Sequence, residues 1–118
     1  MAAPNLKTPT TIIGKTAGYA VTTSLAAALS NSAASGKVFK VNVVRAANLT
    51  TGIATVDLTV FRSATDTYII KSASVAPNSS LVLIDRNEYL YLEEGDALRA
   101  GANAISTIDL TIHYEEIT

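Results

Sequence analysis

Short runs in which apolar and polar residues alternate constrain the fold of this chain more than any other feature. The clearest run is 105–114, where Ile108, Leu110 and Ile112 share one side of an extended segment and Asp109 lies on the other. Successive side chains of a strand point to opposite faces, whereas those of a helix repeat every three to four residues. The run therefore predicts a half-buried β-strand.

Runs of the same kind recur along the chain, separated by turn signals at a spacing of roughly 8–12 residues. The other predicted strands are 17–23, 25–29, 37–47, 53–62, 68–75, 81–84, 89–92 and 97–100. Segment 25–29 is alanine-rich but short for a helix, so it is assigned to a strand. About eight or nine short strands without a convincing helix predict an antiparallel β-sandwich or jelly roll.

Three pairing and burial patterns are also expected. Strands 37–47 and 53–62 follow each other across a short turn, so they are expected to pair as a hairpin. Segment 89–100 is interpreted as a second hairpin whose turn contains Glu93, Gly95 and Asp96. Segment 81–84 is wholly apolar, which favours burial on both faces.

The length of 118 residues predicts one folded domain, preceded by an extension. Residues 1–15 contain two prolines and read as an extended arm or short edge strand, and 16–118 form the β-sandwich domain. The alternative for the arm is a frayed terminus. Its candidate interaction residues, which would dock on a neighbouring subunit, are Leu6, Lys7, Ile12 and Ile13.

Composition argues against several classes of function. The net charge is −1 and only 16% of residues are charged, so the basic footprint of a nucleic-acid partner is missing. No apolar run approaches the roughly 20 residues of a membrane span, and no signal peptide is recognisable. The chain has no cysteine, which removes disulfides and thiolate metal sites. A surface of small polar residues is compatible with packing against other subunits. It is equally compatible with an ordinary neutral β domain.

No set of residues predicts an enzyme, a cofactor or a metal. The one histidine, His113, shares a predicted strand face with Asp109 and Glu115, a row that exposed strands usually hold as solvated surface. The carboxylates of 93–96 lack the ligand spacing of an EF-hand. Asn48 and Asn78 match the glycosylation sequon, which carries little weight here.

The tyrosines offer one binding alternative. A stacking platform for sugars could be formed by Tyr68, Tyr89, Tyr91 and Tyr114. The competing interpretation places these rings at sheet edges with their hydroxyl groups in water, which is the commoner arrangement.

Four segments carry a family resemblance: GKVFKV at 36–41, PNSSLVLID at 77–85, YLEEGDAL at 91–98 and YEEI at 114–117. In this order they resemble small virion structural proteins of tailed bacteriophages, notably phages of marine bacteria and cyanobacteria. The Ala-, Thr- and Ser-rich first third is similar too. The resemblance covers most of the chain, and its motifs are turn-and-strand signatures, not catalytic fingerprints.

The resemblance implies a non-enzymatic component of a viral particle, made in the host cytoplasm. The first expectation is a capsid decoration (cement) protein that binds the major capsid protein lattice on the head. It would be present in many copies or as a homo-oligomer, with no nucleic-acid or membrane partner. The alternatives are a neck, tail or fibre component of the virion, or a carbohydrate- or surface-binding module.

Overall fold

The computed structural model describes residues 4–118, which form two antiparallel sheets packed face to face. The nine strands of this part of the chain are β1 (Ile12–Ala20), β2 (Ala26–Ser30), β3 (Val38–Asn48), β4 (Ala54–Arg62), β5 (Thr65–Val75), β6 (Ser80–Ile84), β7 (Leu90–Leu92), β8 (Ala97–Ala102) and β9 (Ile108–Ile117). A single 3₁₀ turn, Arg86–Glu88, separates β6 from β7. The predicted antiparallel sandwich is confirmed.

The strand order identifies the sandwich as a jelly roll. The first sheet has the order β1-β9-β3-β6, with β7 also paired to β3, and the second has the order β2-β8-β4-β5. β6 and β7 pair with different parts of β3, so they act as one interrupted strand. Counted this way, the chain crosses between the sheets at every connection except β4–β5, as in the double Greek key of a jelly roll.

Both predicted hairpins are wrong. β3 and β4 lie in different sheets, and so do β7 and β8. Turn residues show where a chain bends but not which strand it meets next. A connection of four or five residues can reach roughly 13 Å, which is enough to cross the ~10 Å between packed sheets. The hairpin present is β4–β5, whose turn residues Ser63 and Ala64 both have positive φ, 51° and 60°.

Two strands differ from expectation in extent or burial. β1 begins at Ile12, so residues 12–15 of the predicted arm belong to the sheet, while residues 1–3 of that arm lie outside the described part of the chain. In β6, Leu83 and Ile84 are buried but Leu81 and Val82 are exposed. The predicted burial of 81–84 on both faces is therefore wrong, because β6 lies at the edge of its sheet and is only partly covered.

The core lies between the sheets and is built from alternate residues, as the pattern of the last strand predicts. In β9, Ile108, Leu110 and Ile112 are at most 1% exposed. Tyr114 continues the same face and packs against Phe39 with ring centroids 5.3 Å apart. The remaining fully buried large aliphatic residues come from both sheets and their flanks, and include Val21, Val41, Val44, Val56, Leu58, Val75, Leu92 and Leu98.

Two buried asparagines fix the loops at the two ends of the sandwich. Asn31 Nδ2 donates to the carbonyls of Lys37 and Leu92 at 2.9 and 3.0 Å. At the other end, Asn48 Nδ2 donates to the carbonyls of Gly52 and Val75 at 2.8 and 2.9 Å. Two of these carbonyl bonds, to Leu92 and Val75, are buried, where an unpaired carbonyl would be costly. The Asn48 amide is itself buried and makes structural hydrogen bonds.

Candidate protein-interaction surfaces

The predicted arm residues lie at one end of the domain, here named the terminal end (Leu6, Lys7, Ile12 and Ile13). Ile12 and Ile13 are the first two residues of β1 and are 56% and 50% exposed. The backbones of Thr11 and Thr118 bond in both directions, at 3.2 and 2.9 Å, and hold this end to the last residue of the chain. The structure therefore presents two aliphatic side chains here on a fixed strand.

Leu6 and Lys7 lie in a turn ahead of that strand. The Asn5 side chain accepts a bond from the Lys7 N–H at 3.0 Å, and the Asn5 carbonyl accepts one from the Thr8 N–H at 3.1 Å. Leu6 lines a shallow depression of about 220 Å³ together with Val38 and Tyr91. The four predicted residues are thus split between a turn placed against the domain and the start of an edge strand.

A second apolar surface lies on the loops and was not predicted from the sequence. This loop tip consists of Leu49, Ile53 and Ile105, which are 54%, 68% and 70% exposed. The Leu49 N–H donates to the carbonyl of Thr107 at 2.9 Å, which ties the β3–β4 loop to the β8–β9 loop. Single exposed aliphatic residues are normal on a protein surface, so none of the three marked an interaction surface in the sequence.

The terminal end and the loop tip lie at opposite ends of the molecule. Ile12 pairs with Ile117, which pairs in turn with Val38 at the start of β3. Leu49 follows the last residue of β3, and the eleven residues of that strand span roughly 33 Å at the usual rise. The domain is elongated, with extents of 47 × 26 × 19 Å. Its two apolar surfaces therefore point in different directions.

The outer face of the first sheet carries a polar groove of about 650 Å³. Its lining residues are Lys40, Asn42, Val43, Arg45, Arg86, Asn87, Tyr89, His113 and Glu115. In the sheet register Lys40 is opposite both Glu115 and Tyr91, and Val43 is opposite His113. Three permanent cations face one carboxylate, so the groove has a net positive charge and suits an anionic or polar ligand.

Two of the four candidate platform tyrosines meet beside this groove. The rings of Tyr89 and Tyr91 are edge to face with centroids 5.6 Å apart, and Lys40 Nζ lies 4.4 Å from the Tyr89 centroid. Burial raises the pKa of Tyr91, and the neighbouring Tyr89 and Glu115 raise it further. Tyr114 is in the core and Tyr68 is on β5 of the other sheet, so the four rings form no common platform.

The acidic turn of 93–96 has a structural role. Asp96 is buried, and both of its carboxylate oxygens accept bonds from Arg62 Nε at 3.1 and 3.0 Å. The hydrogen bond to Asp96 raises the pKa of Arg62 despite opposing desolvation. Gly95 supplies the positive φ, 87°, that the turn requires. Asp96 is thus the buried half of an ion pair with Arg62.

His113 lies on the exposed face of β9 in the polar groove. Within residues 4–118, no three or more His, Asp or Glu side chains come together in a way that could hold a metal ion. The row of Asp109, His113 and Glu115 considered from the sequence therefore provides no ligand cluster.

Comparison with protein-family models found no match for this chain, and comparison with curated proteins found no relative. Across the described residues, no helix has the length and apolar character needed to cross a membrane. A function for this chain must therefore be inferred from its own surfaces and from the resemblance of its sequence segments.

Proposed function

We propose that this protein is a non-enzymatic structural component of a tailed-phage virion, a decoration (cement) protein on the outer surface of the capsid. The observation that carries the proposal is the placement of two apolar surfaces, the terminal end and the loop tip, at opposite ends of an elongated domain. A protein that bridges neighbouring capsomers needs contact surfaces that point towards two different subunits. The sequence resemblance to small virion proteins supports the same function.

In the proposed mechanism, binding of this protein stabilises the assembled capsid shell. A protein that binds only the assembled shell stabilises that shell by mass action, and the effect grows with the ratio of its free concentration to its dissociation constant. Burying a half-exposed aliphatic side chain contributes about 1 kcal/mol, so each end of the domain alone would bind weakly. Contact at both ends converts two weak contacts into one stronger attachment, because the second becomes intramolecular.

The partner is the major capsid protein or another virion protein, and the copy number follows the capsid lattice. Neither nucleic acid nor membrane is a partner in this proposal. A neck, tail or fibre component would use the same two surfaces on a different part of the particle. Head and tail locations differ in the number of copies, which is the quantity that separates them.

Reconstitution tests the proposal. Particles depleted of the protein should regain resistance to heat or osmotic shock when the purified chain is added. The double variant Ile53→Ser/Ile105→Ser should fold but lose at least tenfold in affinity for the particles. Ile69→Ser, which changes an exposed isoleucine in the middle of β5, is the matched control. Equal stability with and without the added protein would refute the cement role.

A second candidate function, a carbohydrate- or surface-binding module, is favoured by the outer-face groove with its paired Tyr89 and Tyr91. An aromatic ring beside several cations suits a sugar that carries an acidic group. Under this proposal Tyr89→Ala loses glycan binding while the fold remains intact. Tyr68→Ala, on the other sheet, serves as the control.

A further inference from the structure

The free edge of β1 is the feature that the proposed function leaves unexplained. β1 is the outermost strand of the first sheet and pairs with β9 along all nine of its residues without a register shift. We infer that β1 is a two-fold strand-pairing interface, at which two copies of this chain join their first sheets into one continuous sheet. The inference does not require the virion proposal, although Ile12 and Ile13 belong both to this edge and to the terminal end.

Hydrogen bonds at the two ends of β1 fix the direction in which its backbone groups point. Thr11 exchanges backbone bonds with Thr118, and the Val21 N–H donates to the carbonyl of Ile108 at 2.9 Å. Odd-numbered residues therefore direct their N–H and C=O groups towards β9, since these groups alternate along a strand. The even-numbered residues 12, 14, 16, 18 and 20 direct theirs towards the free edge.

β1 lacks the usual protection of an edge strand. Natural edges are blocked by proline, bulges, short length or exposed lysines, because a row of unpaired backbone groups recruits another strand. β1 has nine residues, with neither a proline nor a bulge. Its one charge, Lys15, pairs with Glu116 on the neighbouring strand at 3.1 Å, with 45% of its side chain exposed. Within residues 4–118 no strand covers this edge, which is long and regular.

The two glycines of β1 lie symmetrically about Thr16. Gly14 and Gly18 flank it at equal distance, so an antiparallel pair centred on Thr16 places each glycine opposite the other glycine of the second copy. In this register every outward-pointing residue meets an outward-pointing residue: 12 meets 20, 14 meets 18, and 16 meets 16. Across the dimer the first two pairings each occur twice, which makes five pairs in all. Each pair exchanges two backbone hydrogen bonds, so about ten form across the two-fold axis.

The side chains also match in this register. Ile13 of one copy lies opposite Tyr19 of the other, a pairing of β-branched and aromatic residues that stabilises sheets. Lys15 lies opposite Ala17, so no like charges meet. Thr16 lies opposite its own copy, where threonine hydroxyls can bond across the strands. No alternative register overlaps all nine residues while keeping outward-pointing groups paired.

Nothing in residues 4–118 requires glycine at position 14 or 18. Neither has the positive φ that would require glycine, and a Cβ built on either meets no atom within 4 Å. Glycine weakens a strand interior. Side chains stand perpendicular to the sheet, so pairing at the edge does not itself require glycine at these positions. In the proposed register each glycine lies opposite the other, which leaves the outer face of the joined sheet without side chains there.

Charge substitution at the two-fold axis tests the interface. Sedimentation equilibrium over a concentration series should show a dimer for the natural chain and a monomer for Thr16→Lys and for Thr16→Glu. An equal mixture of the two variants should return to dimer, because opposite charges then meet. Ser74→Lys, on the free edge strand β5 of the other sheet, should remain dimeric. A monomeric natural chain, or a Thr16→Lys variant that stays dimeric, would overturn the inference.

Cross-linking tests the register and does not depend on the stability of the charge variants. The chain has no cysteine, so single cysteines report one position each. Thr16→Cys should oxidise to a disulfide-linked dimer, since directly opposed Cα atoms lie about 5.5 Å apart. Ile12→Cys should cross-link with Ala20→Cys in a mixture but not with itself. Self-linking at position 12, or no link at position 16, would contradict the proposed pairing.

Discussion

The guanidinium of Arg62 closes over the carboxylate of Asp96, with its Nε at 3.1 and 3.0 Å from the two carboxylate oxygens. The same carboxylate accepts a bond from the backbone N–H of Glu93 at 2.8 Å. Arg62 ends β4 and Asp96 precedes β8, so the pair fixes the point at which the chain leaves β7 in one sheet and enters β8 in the other. The acidic turn is therefore the connection between the two sheets, and the buried carboxylate of Asp96 holds it in place.

We expect Asp96→Asn to lower the free energy of unfolding by about 2 kcal/mol, because it removes a charge-assisted pair in which the carboxylate is buried. Urea unfolding followed by circular dichroism measures this change. Glu93→Gln is the matched control, since Glu93 also pairs with Arg62, at 2.9 Å, but its side chain is 60% exposed. The control should cost about 0.5 kcal/mol or less. Equal losses in the two variants would contradict the structural role of Asp96.

The stability of the domain should depend on pH through Glu116, which bonds to Lys15 and Lys37, each at 3.1 Å. Burial alone would raise the pKa of Glu116, but the two lysines outweigh it and lower the pKa below its usual value of 4.5. The stabilisation is therefore complete above that value and is lost as the pH falls through the lower, folded-state pKa.

Glu116→Gln tests this dependence. Near neutral pH the variant should unfold about 1 kcal/mol more easily than the natural chain, a modest loss because both lysines are partly exposed. The difference should shrink as the pH is lowered through and below 4.5. Urea midpoints measured across that range give the result. A difference that does not change with pH would show that the bridge contributes nothing through its charge.

Asn48 should be among the least replaceable polar residues. Its Nδ2 is bonded to the carbonyls of Gly52 and Val75, and its Oδ1 accepts the Thr50 N–H at 2.9 Å. Asn48→Asp removes both donors and places a charge against two carbonyls, so we expect a loss of about 3 kcal/mol. Asn78→Asp, at an exposed turn with φ of 51°, is the control and should change stability by about 0.5 kcal/mol or less.

Sequence patterns predicted where the strands lie far better than which strands pair with each other. The alternation of Ile108, Leu110 and Ile112 identified the buried face of β9, because burial on one face leaves a two-residue period in the sequence. The sheet that each strand joins depends on contacts between distant segments, which no local period records. This is why β3 and β4 were expected to pair although they lie in different sheets.

The interaction surfaces were predicted only in part. Ile12 and Ile13 were predicted to be interaction residues because they are aliphatic residues in a proline-containing segment. The structure places both on the edge strand β1. The loop tip was missed because Leu49, Ile53 and Ile105 are distant in sequence and share a surface only after folding. The boundary at residue 15 falls inside β1, so deleting 1–15 would damage the sheet. Substitution of Leu6, which lies outside β1 and is 46% exposed, tests the terminal end without altering the proposed strand-pairing edge.

The most direct test of the proposed function is cryo-electron microscopy of tailed-phage particles purified from cells that express this chain. The account predicts a jelly-roll density repeated across the outer shell of the head, with the terminal end and the loop tip each touching a different capsid subunit. Its copy number should follow the capsid lattice. Density confined to the neck or tail, or a shell that lacks the protein, would contradict the decoration role.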